Sequence, residues 1–220
     1  MSGSFPNLSA NGVNTGDTLT PFHLWAGESP ITTGQGLNGA VALEFGTVIA
    51  LAGDRLVPYA PATGALTFAT QPSANDTITI GGQAITFGPG GGQSAIGAST
   101  TITATNLAAR INTNPALYGV RARSAGNVVT LSAIQSGQDG NGIPIVASGA
   151  SPTLSGAATA GATSRPCGFA AAAIPANTWG PYYDGGSPNW EVLKAPAGLL
   201  SLAALKELFA GTPIHPNRLL

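Results

Sequence analysis

Apolar residues in this chain mostly recur at every second position, in short runs separated by glycine, proline and asparagine. That is strand spacing with turn punctuation, and it predicts a mainly β protein with few helices, an α+β fold in the broad sense. The strongest local signal is Thr77-Ile78-Thr79-Ile80, Gly81-Gly82, then Gln83-Ala84-Ile85-Thr86-Phe87. Two β-rich runs around a two-residue Gly-Gly turn predict a hairpin. A second hairpin is expected over 118–124 and 127–133, turning at Ala125-Gly126-Asn127. A third pairs Thr47-Val48-Ile49-Ala50-Leu51 with Arg55-Leu56-Val57-Pro58-Tyr59 across Gly53-Asp54. Pro58 has no N–H to give, so its strand is at an edge or ending.

Further strands are expected at 22–25, 40–45 and 189–193, and 168–174 reads as a strand or a tight buried segment, while 31–38 reads as a polar, glycine-spaced connection and 179–186 as an aromatic, turn-rich segment. Helical spacing occurs twice. Ala104, Leu107, Ala108 and Ile111 mark one face of a helix over 101–112, with Thr101 or Thr103 able to cap it. Leu202, Leu205, Leu208 and Phe209 mark a second, capped by Ser201 and stopped at Gly211.

The elements fall into a nested order. Residues 66–163 hold two hairpins, a glycine-rich loop, a helix and a Gly/Ser/Ala/Thr tail from 148 on, and differ from their surroundings. The expected organisation is an extended N-terminal arm (1–20), a discontinuous β-rich host domain (21–65 and 164–220) and an inserted small α+β domain (66–163). Residues 1–20 are mostly Ser, Asn, Gly and Thr, too poor in apolar side chains to offset the entropy of ordering, so the arm is expected to be disordered alone. Val120 and Ala122 should face one side of their strand and Arg121 and Arg123 the other, as a solvated face.

Composition narrows the function classes. Only 8% of residues are charged, against about 25% in an ordinary soluble domain. The net charge of −1 carries no electrostatic footprint for nucleic acid. A surface so lightly charged suits a protein fixed in an assembly, or a secreted β protein with small surface residues. No apolar run of about 18 residues predicts a membrane span, and the segment after Met1 lacks a basic start and an apolar stretch, so synthesis in a cytoplasm is expected. Cys167 is the only cysteine, which leaves no internal disulfide and reads as a small buried apolar residue.

Candidate chemistry is sparse. His23 and His215 are far apart and in no ligand spacing, so no metal or other cofactor is expected. The run Gly88-Pro89-Gly90-Gly91-Gly92 lacks the Gly-Lys-Ser/Thr ending of a phosphate loop and reads as a solvent loop. Asp139-Gly140-Asn141-Gly142 lacks the spaced acids of a calcium loop and reads as a turn. Glu28, Glu44, Asp54, Asp184 and Glu191 are the host's candidate carboxylates for glycoside chemistry, and Trp179, Tyr182, Tyr183 and Trp190 could line a sugar groove. The competing expectation, preferred here, is that these aromatics fill the core and an intersubunit contact.

With residues 66–163 set aside, the order of the remaining pieces resembles the bacteriophage head decoration proteins of the lambda type. The pieces are the polar arm, Gly46-Thr47-Val48-Ile49-Ala50-Leu51 with Arg55-Leu56-Val57, Cys167-Gly168-Phe169 and the alanines after it, Tyr182-Tyr183-Asp184-Gly185-Gly186, Trp190-Glu191-Val192-Leu193, and the ending Phe209-Ala210-Gly211-Thr212-Pro213-Ile214. The inserted stretch is similar to a small module that recurs in phage virion proteins. The resemblance implies a homotrimer that binds the major capsid protein at local three-fold positions on the capsid exterior and stabilises the expanded head. It implies no enzymatic activity, and an arm that orders by pairing with capsid strands.

On this reading Phe5, Leu8 and Val13 are the arm's capsid-binding anchors, and Trp25, Trp179 and Trp190 are candidate trimer or capsid contacts. Nucleic acid and membrane are not expected partners. The rival class is a tail- or fibre-associated carbohydrate-binding module working through the inserted domain, and a glycan hydrolase is a third, weaker option. A solution mass separates the first two, since a trimer favours decoration and a monomer favours the module.

Overall fold

A computed structural model of the chain describes residues 30–197 and 199–218. In chain order the strands are β1 (Thr32–Asn38), β2 (Val48–Ala52), β3 (Arg55–Pro58), β4 (Thr63–Thr67), β5 (Thr77–Ile80) and β6 (Gln83–Thr86). Helices α1 (Thr100–Thr113) and α2 (Pro115–Tyr118) follow. Then come β7 (Val120–Ala125), β8 (Val128–Ala133), β9 (Ile145–Ala147), β10 (Thr153–Leu154), β11 (Pro166–Ala170), β12 (Trp179–Gly185) and helix α3 (Leu202–Leu208). The protein is mainly β with few helices, and none of its described helices is long and apolar enough to cross a membrane.

The flanking segments build a closed five-stranded barrel in the order β1-β12-β11-β2-β3. Neighbours are antiparallel except β1 and β3, which close the barrel as a short parallel pair through Leu37–Arg55 and Asn38–Leu56. Strand alternation feeds two cores at once. Ile49, Leu56 and Ala170 join Leu43 and Ile174 in one cluster, with Cys167 and Tyr182 against it. Val48, Ala50 and Phe169 join Leu205, Leu208, Phe209 and Ile214 in another, with Val57 and Tyr183 against it. Burial on both faces explains why Val48, Ile49 and Ala50 are apolar at consecutive positions instead of alternating with polar ones.

The inserted stretch has its own core. Sheet β10-β4-β8-β7 and sheet β6-β5-β9 pack with α1 around Leu66, Phe68, Ile78, Ile80, Ile85, Phe87, Leu107, Ile111, Val129 and Leu131. Phe68 and Phe87 meet edge to face at 5.9 Å between ring centroids. Gly81 and Gly82, at φ 58° and 81°, supply the left-handed backbone that the β5–β6 turn requires.

Several expectations are corrected by tertiary context. Residues 31–38, expected as a connection, contain strand β1. A side chain at Gly34 would sit 2.7 Å from the Tyr182 ring, and one at Gly36 would sit 2.7 Å from Leu56, so the glycines make room inside a narrow barrel. Residues 179–185, expected as turns, are strand β12, which pairs with both β1 and β11. Conversely, 40–45 is not a strand. Only Leu43 bridges, through reciprocal backbone hydrogen bonds with Ile174 at 2.9 and 2.8 Å.

Residues 189–193, expected as a strand, form a 3₁₀ turn at Trp190–Val192, because Asn189 Oδ1 accepts from the Glu191 N–H. The N-cap of α1 is Ser99, not Thr101 or Thr103; Thr103 is buried and its hydroxyl donates to Gln71 Oε1 at 2.7 Å. The tail from 148 to 163 is tied into the sheets by β10 and by bridges at Ala158 and Ala160. The strand expected at 22–25 lies outside the described residues.

Candidate functional site

The barrel positions one exposed aromatic on a stiff base. Trp179 opens β12 and is 68% exposed, and Val41 is 60% exposed. Both flank Asn38, which is fully buried. The Asn38 backbone N–H donates to Thr178 O at 2.8 Å, and its Nδ2 reaches Val41 O, Ile174 O and Pro175 O at 2.9–3.1 Å. Arg55 Nη1 adds bonds to Asn38 O at 3.2 Å and Asn177 Oδ1 at 3.1 Å. One asparagine thus ties the chain around Val41 to the chain around Trp179. An exposed indole with its backbone so fixed pays little ordering cost on contact with a partner.

Trp190 occupies a different setting. It is half-buried against the core around Val192 and Phe209, and its indole N–H is buried without an acceptor. Trp25, Phe5, Leu8 and Val13 lie outside the described residues, as do Glu28 and His23.

The candidate carboxylates sit on separate elements. Glu44 is exposed and paired with Lys194, whose hydrogen bond and charge hold its carboxyl below the usual range. Asp54 is exposed in the β2–β3 turn, and Glu191 is exposed in the 3₁₀ turn. Asp184 is half-buried on β12, with one carboxylate oxygen buried and without a donor.

Cys167 is half-buried, not fully buried. Burial pushes its thiol up to about 11; its own backbone hydrogen bond lowers it, and Asp184 raises it. The Tyr182 phenol is raised too, by burial first and then by Cys167 and Asp184. Thiol and phenol here both favour their neutral forms, which is a packing arrangement and not an activated nucleophile.

The two loops that mimic ligand motifs are engaged internally. Residues 89–92 are solvent-exposed, and Gln93 Oε1 accepts from the Gly90 N–H at 2.8 Å within that loop. Asp139 lies in a 3₁₀ turn (Gly137–Gly140) and pairs with Arg165 at 2.7 Å. Among the described residues no group of three or more His, Cys, Asp or Glu side chains is placed to hold a metal ion.

The arginines of β7 share a face, as their alternation requires, yet have different roles. Arg121 pairs with Glu207 of α3 at 2.5 Å and joins the inserted stretch to the barrel's helix. Arg123 faces a cleft of about 330 Å³ between the inserted sheet and the segments around Pro61 and Pro196. Strand alternation foretold the shared face but not the cleft, because Pro196 is brought there from 73 positions farther along the chain (196 − 123) by the fold. No protein-family model and no curated protein matches this chain.

Proposed function

We propose that the protein is a structural virion protein that binds the outside of a phage capsid as a homotrimer, at local three-fold positions, and stabilises the expanded head. The observation that carries the reading is convergence. The separate sequence pieces that resemble head decoration proteins lie together in one barrel and its adjoining core, as β2, β3, β11, β12, the Trp190 turn and the segment ending at Ile214. The last of these is held to the barrel by backbone bonds between Gly186 and Pro213 and between His215 and Gly186.

Trp179 and Val41 are the apolar surface on which a subunit or capsid contact would build. Multivalency supplies the strength: once one subunit of a trimer is seated, the other two bind at high effective concentration. The proposed partner is the major capsid protein, and no catalytic step is part of the reading.

The test is to mix purified protein with expanded empty shells and sediment them, alongside a solution mass of the free protein. A trimer that saturates shells at three-fold positions supports the proposal. A monomer that stays in the supernatant overturns it.

A further inference from the structure

The open face of sheet β10-β4-β8-β7 carries an arrangement that the capsid reading does not call on. Across three strands, Thr63 lies beside Ser132 and Ser132 beside Arg121; one step along, Ala65 lies beside Thr130 and Thr130 beside Arg123. The opposite face buries Val120, Val129 and Leu131 against α1, so these polar side chains all project away from that core. Glu207 takes Arg121. Arg123 is exposed, and no hydrogen bond or ion pair engages it among the described residues.

Arg123, Thr130, Ser132 and Thr63 line the cleft together with Pro61, Pro196 and Ala197. Its volume of about 330 Å³ falls in the roughly 300–1,000 Å³ range of small-ligand sites.

We propose that this cleft binds a carboxylated sugar unit. Each part of the lining matches one part of such a ligand. The planar guanidinium of Arg123 presents parallel N–H donors that fit a carboxylate in a two-pronged pair. The hydroxyls of Thr63, Thr130 and Ser132 can each donate and accept, which suits the vicinal hydroxyls of a sugar ring. The half-buried Pro196 and exposed Ala197 give apolar surface for the ring's C–H face. The adjacent Arg121–Glu207 pair is internally neutral, so the net local charge is the single positive charge of Arg123. A neutral sugar would leave that charge without a counterion, and a nucleic acid would find neither a basic track nor an aromatic platform in the cleft.

The site belongs to the inserted stretch and its junction, and does not rest on the capsid reading. A decorated head would carry many copies, so even weak sites would act together on a surface polysaccharide.

The experiment titrates the full chain with glucuronate and with a galacturonate dimer, with glucose and inorganic phosphate as controls, following saturable binding by ligand-observed NMR. The expected result is uronate binding that exceeds glucose binding, with a loss of about tenfold or more in Arg123→Gln and incomplete rescue in Arg123→Lys. Thr130→Val should weaken binding without changing the melting temperature. Equal binding of glucose, binding of phosphate as strong as that of the uronates, no saturable binding, or an unchanged Arg123→Gln titration each overturns the proposal. Shell sedimentation of Arg123→Gln is run in parallel, so that loss of sugar binding and loss of shell binding are read separately.

Discussion

Ala60 and Thr163 are hydrogen-bonded to each other although they stand 103 positions apart in the chain. The Thr163 N–H donates to Ala60 O at 3.0 Å, and the Ala60 N–H donates to Thr163 Oγ1 at 3.1 Å. The chain leaves the barrel and re-enters it at one place, so the covalent connection to everything between is a single pair of adjacent backbone segments, with the Arg121–Glu207 and Asp139–Arg165 ion pairs as further ties.

Excision at that place should therefore be tolerated. Replacing residues 61–162 with a short Gly-Ser linker closes a gap that the native hydrogen bonds already span, and the barrel cores share no member with the core around Leu107. The expected product is folded, unfolds cooperatively in denaturant, and keeps the mass state of the parent. A molten or aggregated product would show that the inserted stretch is needed to fold the barrel.

The converse test breaks the inserted core. Leu107 is fully buried on α1, and truncating a buried leucine to alanine costs about 2–5 kcal/mol. Leu107→Asp adds an unpaired buried charge and should unfold the stretch outright. Limited proteolysis should then cut within 66–163 while the barrel fragments stay resistant. Equal protection of both regions in Leu107→Asp would contradict separate cores.

Edge protection gives a third prediction. Strand β7 is at a sheet edge, and the Asn112 side chain of α1 covers it, donating to Ala122 O at 2.7 Å and accepting from the Ala122 N–H at 2.9 Å. Exposed strand edges recruit other strands. Asn112→Ala should cost about 1–3 kcal/mol, the penalty for stranding partly buried polar groups, and should raise concentration-dependent association by light scattering. A variant as stable and as monodisperse as the parent sinks this account of Asn112.

Cys167 predicts a pH dependence. Its thiol is raised to about 11 by burial, so the folded state prefers the protonated form. A raised acid contributes stability that is complete below its unfolded value, about 8.5, and that is lost as pH rises toward the folded value. The Tyr59 and Tyr182 phenols are also raised, chiefly by burial, and act in the same direction at higher pH. Denaturation midpoints should fall between pH 8 and pH 10.5, and Cys167→Ala should flatten the first part of that fall. Iodoacetamide should label the native protein at pH 8 far more slowly than the unfolded chain.

The capsid reading makes a prediction on the exposed surface. Trp179→Ser removes an exposed ring and should leave the melting temperature of the free protein nearly unchanged, while weakening trimer formation or shell binding. Deleting residues 1–17, which carry Phe5, Leu8 and Val13 in an otherwise polar stretch, should abolish shell binding and leave the mass of the free protein unaltered. Decoration that survives both changes would locate the contact elsewhere on the body.

The sequence by itself determined what depends on neighbours along the chain. The Gly81-Gly82 and Gly126-Asn127 hairpins, the apolar face of α1 and the Ser201 cap of α3 all follow from local backbone preference and periodicity, and each is present. Tertiary structure decided what depends on partners far away. Glycine spacing at Gly34 and Gly36 looked like a connection, because nothing local reveals that Tyr182 and Leu56 need the space. Alternation at 40–45 and 189–193 looked like strand, but each segment makes only an isolated bridge, Leu43 with Ile174 and Asn189 with Asn217, and no ladder. Arg123 was legible as an outward-facing residue. That it faces a cleft required Pro196, which only the tertiary fold, with the closure at Ala60 and Thr163 and the Arg121–Glu207 pair, brings near it.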